Sequence, residues 1–247
     1  MADLGLATLL LAGAIVFTGH LVKGVSGFGS ALFAVPLLLL ILDVRVVTPA
    51  FLLFDLTSGV LLVASNWRSI DRRLSLLLFS GMIVGSGIGT WVLVSFEHDI
   101  LKRILGVLVT GWAGVMLLGR EPEALAPRRA LGDGLAPISG FLGGTLGAMF
   151  SVNGPPIIIY LSQVLEDKQA FRATLCGVFF ADACYKAVLF GLGGLLDREV
   201  FGLAAALAPF LVTGVVAGSW VQRFLDQTVF RRVVAAILTV TGVLLLI

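Results

Sequence analysis

The chain has 247 residues, of which 58% are hydrophobic and 13% are charged, and its formal net charge is +2. Soluble domains carry about a quarter of charged residues, so this composition excludes a soluble globular protein and predicts an integral membrane protein. The basic residues are scattered through short loops and form no basic patch, so we expect no nucleic-acid partner.

Apolar segments without strand-like alternation follow one another along the chain, and each predicts a helix rather than a barrel strand. They lie at about 5–22, 30–42, 46–65, 74–95, 101–118, 134–150, 155–165, 173–191, 200–222 and 230–247. The first has Asp3 and no basic residue ahead of it, so we interpret it as a retained membrane segment and not as a signal peptide. Cys176 and Cys184 fall two turns apart in one predicted helix, where we expect free, buried thiols.

A glycine-rich break, "GVSGFGSALFAVP" at residues 24–36, interrupts the first apolar stretch directly after Lys23. The segment 30–42 rises about 20 Å and is too short to cross about 30 Å of hydrocarbon. Irregular backbone is tolerated at membrane depth only where it faces protein or a water-filled cavity. We therefore predict a re-entrant helical hairpin.

A second break, "SVNGPP" at residues 151–156, has the sequence of a helix start. Asn153 is a good N-cap and Pro155 suits the first helical turn, while Ser26 and Ser30 could cap the helix of the first hairpin. A helix N-terminus carries about half a positive charge and unpaired N–H groups. Two such ends pointing inward from opposite leaflets, with Lys23 beside them, predict an anion site. The alternative for these glycines is close helix packing without a ligand.

The two halves of the chain resemble each other. "GTWVLVSFEHDILKR" at 89–103 matches "GSWVQRFLDQTVFRR" at 218–232, at an offset of 129 residues. "RVVTPAFLLFD", ending at Asp55, aligns with "RATLCGVFFAD", ending at Asp182, at an offset of 127. "KGVSGFGSALFAVP" aligns with "GGTLGAMFSVNGPP" at an offset of 120. We predict a first membrane repeat at 1–119, a cytoplasmic linker at 120–133 and a second membrane repeat at 134–247.

The charge bias changes side between the repeats. The loop 66–73 and the linker each carry three arginines and are predicted to be cytoplasmic, whereas in the second half the arginines move to the loop that matches 96–103. We therefore predict an all-α integral membrane protein of two inverted-topology repeats of about five segments. Each repeat starts with a glycine-broken re-entrant helical hairpin, and both termini are external. The alternative is a chance distribution of a few charges.

Two carboxylates occupy matching positions near the middle of predicted helices, Asp55 and Asp182. A charge at the centre of a membrane helix costs about 2.5 kcal/mol or more, so each needs a role or a partner. Lys186 lies four residues after Asp182 and can pair with it, whereas candidate partners of Asp55 are Lys23 and His20. Proton coupling and a structural ion pair both remain open, and the locally unmatched charge favours coupling for Asp55. A lone histidine such as His20 is more often a satisfied core residue.

Glycines at helical spacing elsewhere indicate contact faces between helices. They are Gly81, Gly85, Gly89, Gly214 and Gly218.

The glycine-rich break followed by proline, repeated as "GFLGGTLGAMFSVNGPP", resembles the sulfite exporter TauE/SafE family, also called the toluene sulfonate uptake permease family. The resemblance spans essentially the whole chain and implies a permease for sulfite, sulfonates or related small anions. It falls on Gly24, Gly27, Gly29, Pro36, Gly143, Gly144, Gly147, Gly154 and Pro156. A Gly-Thr-Ser run common in the family is replaced here by "VVTPAFL" and "ATLCGVF".

We therefore expect a secondary transporter that moves a small anion across the inner membrane by alternating access, with the anion at the helix N-termini of the broken hairpins. The predicted substrate-binding residues are Lys23, Gly24, Ser26, Gly27, Phe28, Gly29, Ser30, Gly144, Gly147, Asn153, Gly154 and Pro155. The expected partners are lipid, the anionic substrate and a coupling proton or sodium ion, with a homo-oligomer left open.

Alternatives are a passive anion channel and a membrane scaffold protein. We expect no enzyme, cofactor or metal, because HExxH is absent and the near-match to GxSxG at Ser26 lacks a strand–turn–helix setting.

Overall fold

The computed structural model describes residues 5–26, 29–117, 132–221 and 227–246. Within these residues the chain forms ten α-helices and a short 3-10 helix at Trp67–Ser69. The α-helices are α1 Leu6–Ser26, α2 Ser30–Leu38, α3 Val44–Asn66, α4 Arg72–Ser95, α5 His98–Leu117, α6 Leu135–Phe150, α7 Gly154–Val164, α8 Lys168–Leu192, α9 Arg198–Val221 and α10 Gln227–Leu244. Each corresponds to one predicted apolar segment, which confirms the all-α prediction.

Among the helices in the described ranges, four are long and apolar enough to cross a membrane: α1, α4, α8 and α9. By contrast, α2 has 9 residues and α7 has 11. At 1.5 Å per residue they rise about 14 Å and about 17 Å, so neither crosses about 30 Å of hydrocarbon by itself. A multi-pass membrane protein follows from the four long helices.

The first glycine-rich break is narrower than the sequence predicts. Helix α1 runs on through Lys23 and Gly24 to Ser26, so these residues belong to its last turns and not to irregular backbone. Gly29 precedes α2 with φ at +90°, a left-handed conformation that glycine adopts without strain. Gly27 and Phe28 lie outside the described residues.

The chain divides into two compact units, and each draws helices from both halves of the sequence. The first unit comprises Met1–Phe51, Phe96–Arg120 and Leu196–Ile247, and the second comprises Leu52–Ser95 and Glu121–Leu195. In the first unit α1 packs along α9, α5 along α10, and α2 against α1. In the second unit α4 packs along α6, α8 along α4, and α7 against α6.

Glycines bring the paired helices into backbone contact. In the second unit Gly81, Gly85 and Gly89 lie against the carbonyl groups of Pro137, Phe141 and Thr145 on α6. In the first unit Gly214 and Gly218 lie against the carbonyl groups of Phe17 and Leu21 on α1. A side chain at these positions would collide with backbone, so the predicted contact faces are confirmed.

Within the described residues neither cysteine forms a disulfide, as predicted, but the two are not both buried. Cys176 is half-buried and Cys184 is exposed on the outer side of α8. Cysteine behaves as a small hydrophobic residue, so a position facing lipid suits it as well as a protein core does.

Candidate functional site

A buried ion pair lies in the middle of α8, in the second unit. The Asp182 side chain is 0% exposed and the Lys186 side chain 1%, and Lys186 Nζ lies 3.0 Å from Asp182 Oδ2. The pairing predicted from the four-residue spacing is therefore confirmed. A buried charge is strongly destabilising without its partner, so the two groups stabilise each other in this apolar setting.

Ser86 joins this pair from α4, and the sequence analysis missed it. Its Oγ lies 2.6 Å from Asp182 Oδ1 and 3.3 Å from the carbonyl oxygen of Gly144 on α6. Ser86 is fully buried because it borders the glycine face of α4 that packs along α6. Its position beside Gly85 in that face was the one sequence signal that could have identified it.

Gly147 connects the ion pair to the second helix break. Its carbonyl oxygen lies 3.3 Å from Lys186 Nζ and also accepts a hydrogen bond of 2.9 Å from the N–H of Ser151. A Cβ atom at Gly147 would lie 2.9 Å from Asn153 Cβ and 3.4 Å from Lys186 Nζ. The missing side chain therefore lets Asn153 approach the buried ammonium group.

The N-terminus of α7 starts where predicted, with Asn153 at the N-cap position and prolines in the first turn. The predicted side-chain cap is wrong, because the Asn153 side chain makes no capping hydrogen bond. The expected row of free backbone donors is also reduced. Pro155 and Pro156 have no N–H group, so of the first three helical residues only Gly154 offers one.

Asn153 is 7% exposed and makes no side-chain capping hydrogen bond. Its amide N–H groups are therefore donors that a ligand could bind. Asn153, Gly147, Gly154 and the Asp182–Lys186 pair thus come together in the second unit. We call these residues together with Ser86 the polar cluster.

Two predicted site glycines have packing roles. A Cβ at Gly144 would lie 2.7 Å from the Met82 carbonyl oxygen and 3.0 Å from Ser86 N on α4. A Cβ at Gly24 would lie 2.6 Å from the carbonyl oxygen of Val215 on α9. Both glycines therefore fit the alternative of close helix packing, and their binding of substrate stays a prediction.

In the first unit, the N-terminus of α2 has a different chemistry. Its N-cap is Gly29, which has no side chain, so the predicted serine cap at Ser30 is wrong. Ser30 is buried in the first turn of α2. Lys23 is half-buried in the last turn of α1, where a positive charge is favourable at the carbonyl end of a helix. A role for Lys23 in anion binding stays a prediction.

His20 has the features of a satisfied core histidine. It is fully buried, its Nδ1 donates to the carbonyl oxygen of Val16 at 2.9 Å, and its ring stacks on Phe51. Asp55 is half-buried on α3, in the second unit. Its pairing with His20 or Lys23 and its role in coupling stay predictions.

Comparisons with known proteins agree over nearly the whole chain. A family model described as "Sulfite exporter TauE/SafE" matches residues 11–245. A protein of Cupriavidus necator named "Probable sulfite/organosulfonate exporter TauE" is 28% identical over 254 residues, which cover 99% of this chain and 93% of that protein. No solved structure matches. Within the described residues, no group of three or more histidine, cysteine, aspartate or glutamate side chains could hold a metal ion.

Proposed function

We propose, from the premise that this chain belongs to the sulfite exporter TauE/SafE family, that it is a secondary transporter that exports sulfite, a sulfonate or a related small anion across the cytoplasmic membrane. The relative from C. necator is named as a probable sulfite/organosulfonate exporter, which supports this substrate class. The observation that carries the proposal is the buried ammonium of Lys186, which lies with Asn153 beside Gly147 at the start of a short helix.

The polar cluster has the chemistry that a small oxyanion needs. The ammonium of Lys186, the amide of Asn153 and the N–H of Gly154 are hydrogen-bond donors, and the N-terminus of α7 adds about half a positive charge. Hydrogen-bond donors and a positive charge suit a sulfite or sulfonate group, whose oxygens accept hydrogen bonds. The negative charge of Asp182 opposes binding as long as it is ionised.

Alternating access of two inverted repeats is the mechanism that we propose. The same helix contact occurs twice: Gly24 of α1 lies against Val215 of α9, and Gly144 of α6 lies against Ser86 of α4. Gly24 aligns with Gly144, and Ser86 with Val215, in the repeat alignment. Duplicated packing supports the repeats at 1–119 and 134–247. In this proposal the short helices α2 and α7 are re-entrant, whereas α1 is long enough to cross the membrane. Residues 120–131 of the linker lie outside the described part of the chain.

Orientation follows from the charge bias of the loops. The segment 66–73, from the end of α3 to the first turn of α4, carries Arg68, Arg72 and Arg73 and is proposed to face the cytoplasm. The matching loop between α8 and α9 would then face outward, as would both termini.

The test is flux of a labelled sulfonate into proteoliposomes that contain the purified protein. We expect saturable uptake, and we expect Asn153→Ala to lower it about 10-fold through loss of a buried hydrogen bond to the anion. Gln163→Ala removes an amide farther along α7 and is the matched control, with uptake as in the wild type. Flux that never saturates and follows voltage alone would indicate a passive channel, and the lack of any flux would indicate a scaffold.

A further inference from the structure

We propose that Ser86, Asp182 and Lys186 form a proton switch, in which a proton bound by Asp182 releases the Lys186 ammonium to hold the anion, so that each sulfonate binds together with one proton. This inference rests on the proposed function and names its coupling ion. The proton switch consists of these three side chains of the polar cluster.

The charges of the Asp182–Lys186 pair cancel when both groups are ionised. Asp182 and Lys186 are both buried and lie 3.0 Å apart, so the pair presents no net charge to an arriving anion. In a low-dielectric interior the carboxylate repels a sulfonate strongly. A proton on Asp182 removes this repulsion and leaves the full positive charge of Lys186. Anion binding and proton binding therefore favour each other, and the linkage is reciprocal.

The hydrogen bonds of Ser86 suit both protonation states of Asp182. Its single hydroxyl hydrogen has two acceptors in reach, Asp182 Oδ1 at 2.6 Å and the Gly144 carbonyl oxygen at 3.3 Å. When Asp182 is ionised, Ser86 donates to Oδ1. When a proton from solution forms an O–H bond at Oδ1, that group donates to Ser86 Oγ and the hydroxyl turns to Gly144. No other covalent bond changes.

Lys186 has more N–H donors than the described residues of the cluster have acceptors for them. Its ammonium has three N–H bonds, and the described residues provide the Gly147 carbonyl oxygen at 3.3 Å and Asp182 Oδ2 at 3.0 Å. Asp182 Oδ2 has no well-aligned hydrogen bond within the described chain, so this contact is ionic and weakens when the carboxylate is neutralised. The Asn153 amide carbon and Lys186 Nζ lie 3.5 Å and 3.4 Å from one point, the Cβ position of Gly147. Lys186 and Asn153 therefore approach the same side of Gly147.

Further titratable groups lie on α8 itself and on the helices packed against it. Arg72 and Arg73 of α4 precede Ser86 by about 20 Å of helix, and Tyr160 of α7 has Asp71, Arg73 and Asp133 as its electrostatic neighbours. Helix α6 carries no titratable side chain. The remaining groups are Arg68 in the 3-10 helix and Lys168, Arg172, Cys176, Cys184 and Tyr185 of α8.

Asp55 is the competing carboxylate. It lies on α3 one turn before Gly59, and a Cβ at Gly59 would lie 2.6 Å from the ring of Phe180 on α8. The experiment must therefore show which of the two carboxylates, Asp55 or Asp182, takes up the proton.

The repeat alignment gives independent support. Val215, Asp55 and Gly59 occupy the positions that correspond to Ser86, Asp182 and Lys186. The first repeat has valine at the position of Ser86 and glycine at the position of Lys186. The helix packing that the two repeats share therefore requires neither a hydroxyl nor an ammonium group there. Packing alone does not explain the serine and the lysine of the second unit.

The experiment is a titration of the purified full-length protein in detergent with methanesulfonate, in weakly buffered solution with a pH readout. A sulfonate stays ionised over the whole range, so protons taken up on binding come to the protein. We expect the wild type to take up about one proton per bound anion. Asp182→Asn is expected to bind methanesulfonate without proton uptake and independently of pH.

Ser86→Ala separates the switch from simple packing. Ser86→Ala removes a hydrogen bond in both states, but the bond to the ionised carboxylate is the stronger one, so its loss favours protonation and should move the pH midpoint of methanesulfonate binding up. Ser80→Ala removes an exposed hydroxyl that bonds the Leu77 carbonyl on the same helix and should leave the midpoint unchanged. An unchanged midpoint in Ser86→Ala overturns the proposal.

Further outcomes are decisive. Saturable binding without proton uptake by the wild type overturns the proton switch and leaves the exporter proposal standing, whereas no binding at any pH overturns both. Loss of proton uptake in Asp55→Asn with its retention in Asp182→Asn transfers the role to Asp55. If Asp182→Asn does not fold, Asp182→Asn/Lys186→Gln removes both charges, and proton uptake by that variant contradicts the proposal.

Discussion

Gly147 is the residue at which helix packing and the polar cluster meet. The family resemblance includes it and the sequence predicts it to bind substrate. It lies inside α6, where its missing side chain gives Asn153 and Lys186 room to approach each other. Its role in substrate binding stays a prediction. The role depends on which side chains surround it, and those come from α7 and α8.

Gly147→Ala is predicted to disturb the cluster directly. The new methyl group would press on Asn153 Cβ and on Lys186 Nζ, and overpacking of this kind typically costs about 1–3 kcal/mol. We expect at least about a tenfold loss of methanesulfonate affinity, measured by titration. Gly191→Ala on α8 adds the same methyl group in open space and should bind as the wild type does. Equal affinity of both variants would remove Gly147 from the site.

The Asp182–Lys186 pair leads to a prediction on stability. Lys186→Gln leaves a buried carboxylate without its counter-charge, which is expected to destabilise the fold by about 3–5 kcal/mol. Asp182→Asn/Lys186→Gln removes both charges and should recover most of that loss. Thermal unfolding of the detergent-solubilised variants measures both, and a double variant no more stable than Lys186→Gln would contradict the pairing.

At the scale of the helices, α4 and α6 form the closest backbone contact in the second unit. Gly85→Ala would place a methyl group against the Phe141 carbonyl, with only backbone to yield. We expect a loss of about 1–3 kcal/mol in stability, seen as a lower melting temperature. Gly87→Ala, on the same helix with open space around it, should be neutral or slightly stabilising, because alanine favours a helix over glycine.

The two prolines of α7 remove backbone N–H donors from its first turn and so weaken its N-terminus as an anion site. Pro155→Ala restores a backbone N–H in the first turn, where it points out of the helix toward the predicted anion. One added hydrogen bond is worth about 1 kcal/mol, so methanesulfonate affinity should rise about fivefold. Pro137→Ala makes the same change in the first turn of α6 and is the control. A rise in both variants, or in neither, would argue against anion binding at α7.

At the scale of the whole molecule, inverted repeats predict that matching loops face opposite sides of the membrane. We propose single cysteines at Ser69 and Glu199, in the loops before α4 and at the start of α9, in a background lacking Cys176 and Cys184. A membrane-impermeant thiol reagent applied to intact cells should label Glu199→Cys and should not label Ser69→Cys. Labelling of both or of neither would contradict the inverted topology.

The order and type of the helices were predictable from the sequence because the signals are local. Apolar length, glycine-rich breaks and proline at helix starts act within one segment, and all ten predicted helices occur in order. The Asp182–Lys186 pair was predictable for the same reason, since four residues are about one helical turn. The side-chain caps were predicted wrongly. The Asn153 side chain makes no capping hydrogen bond to α7, and Gly29, which has no side chain, is the N-cap of α2.

The sequence by itself determined the class of protein, the order and approximate positions of its helices, and the family resemblance. Only the tertiary structure decided that Ser86 joins Asp182 across 96 positions of the chain, that Gly24 and Gly144 serve helix packing, and that each compact unit mixes helices from both halves. The physical reason is that helix formation depends on neighbours in the chain. The partners of a buried polar group depend on which helix faces become close in space.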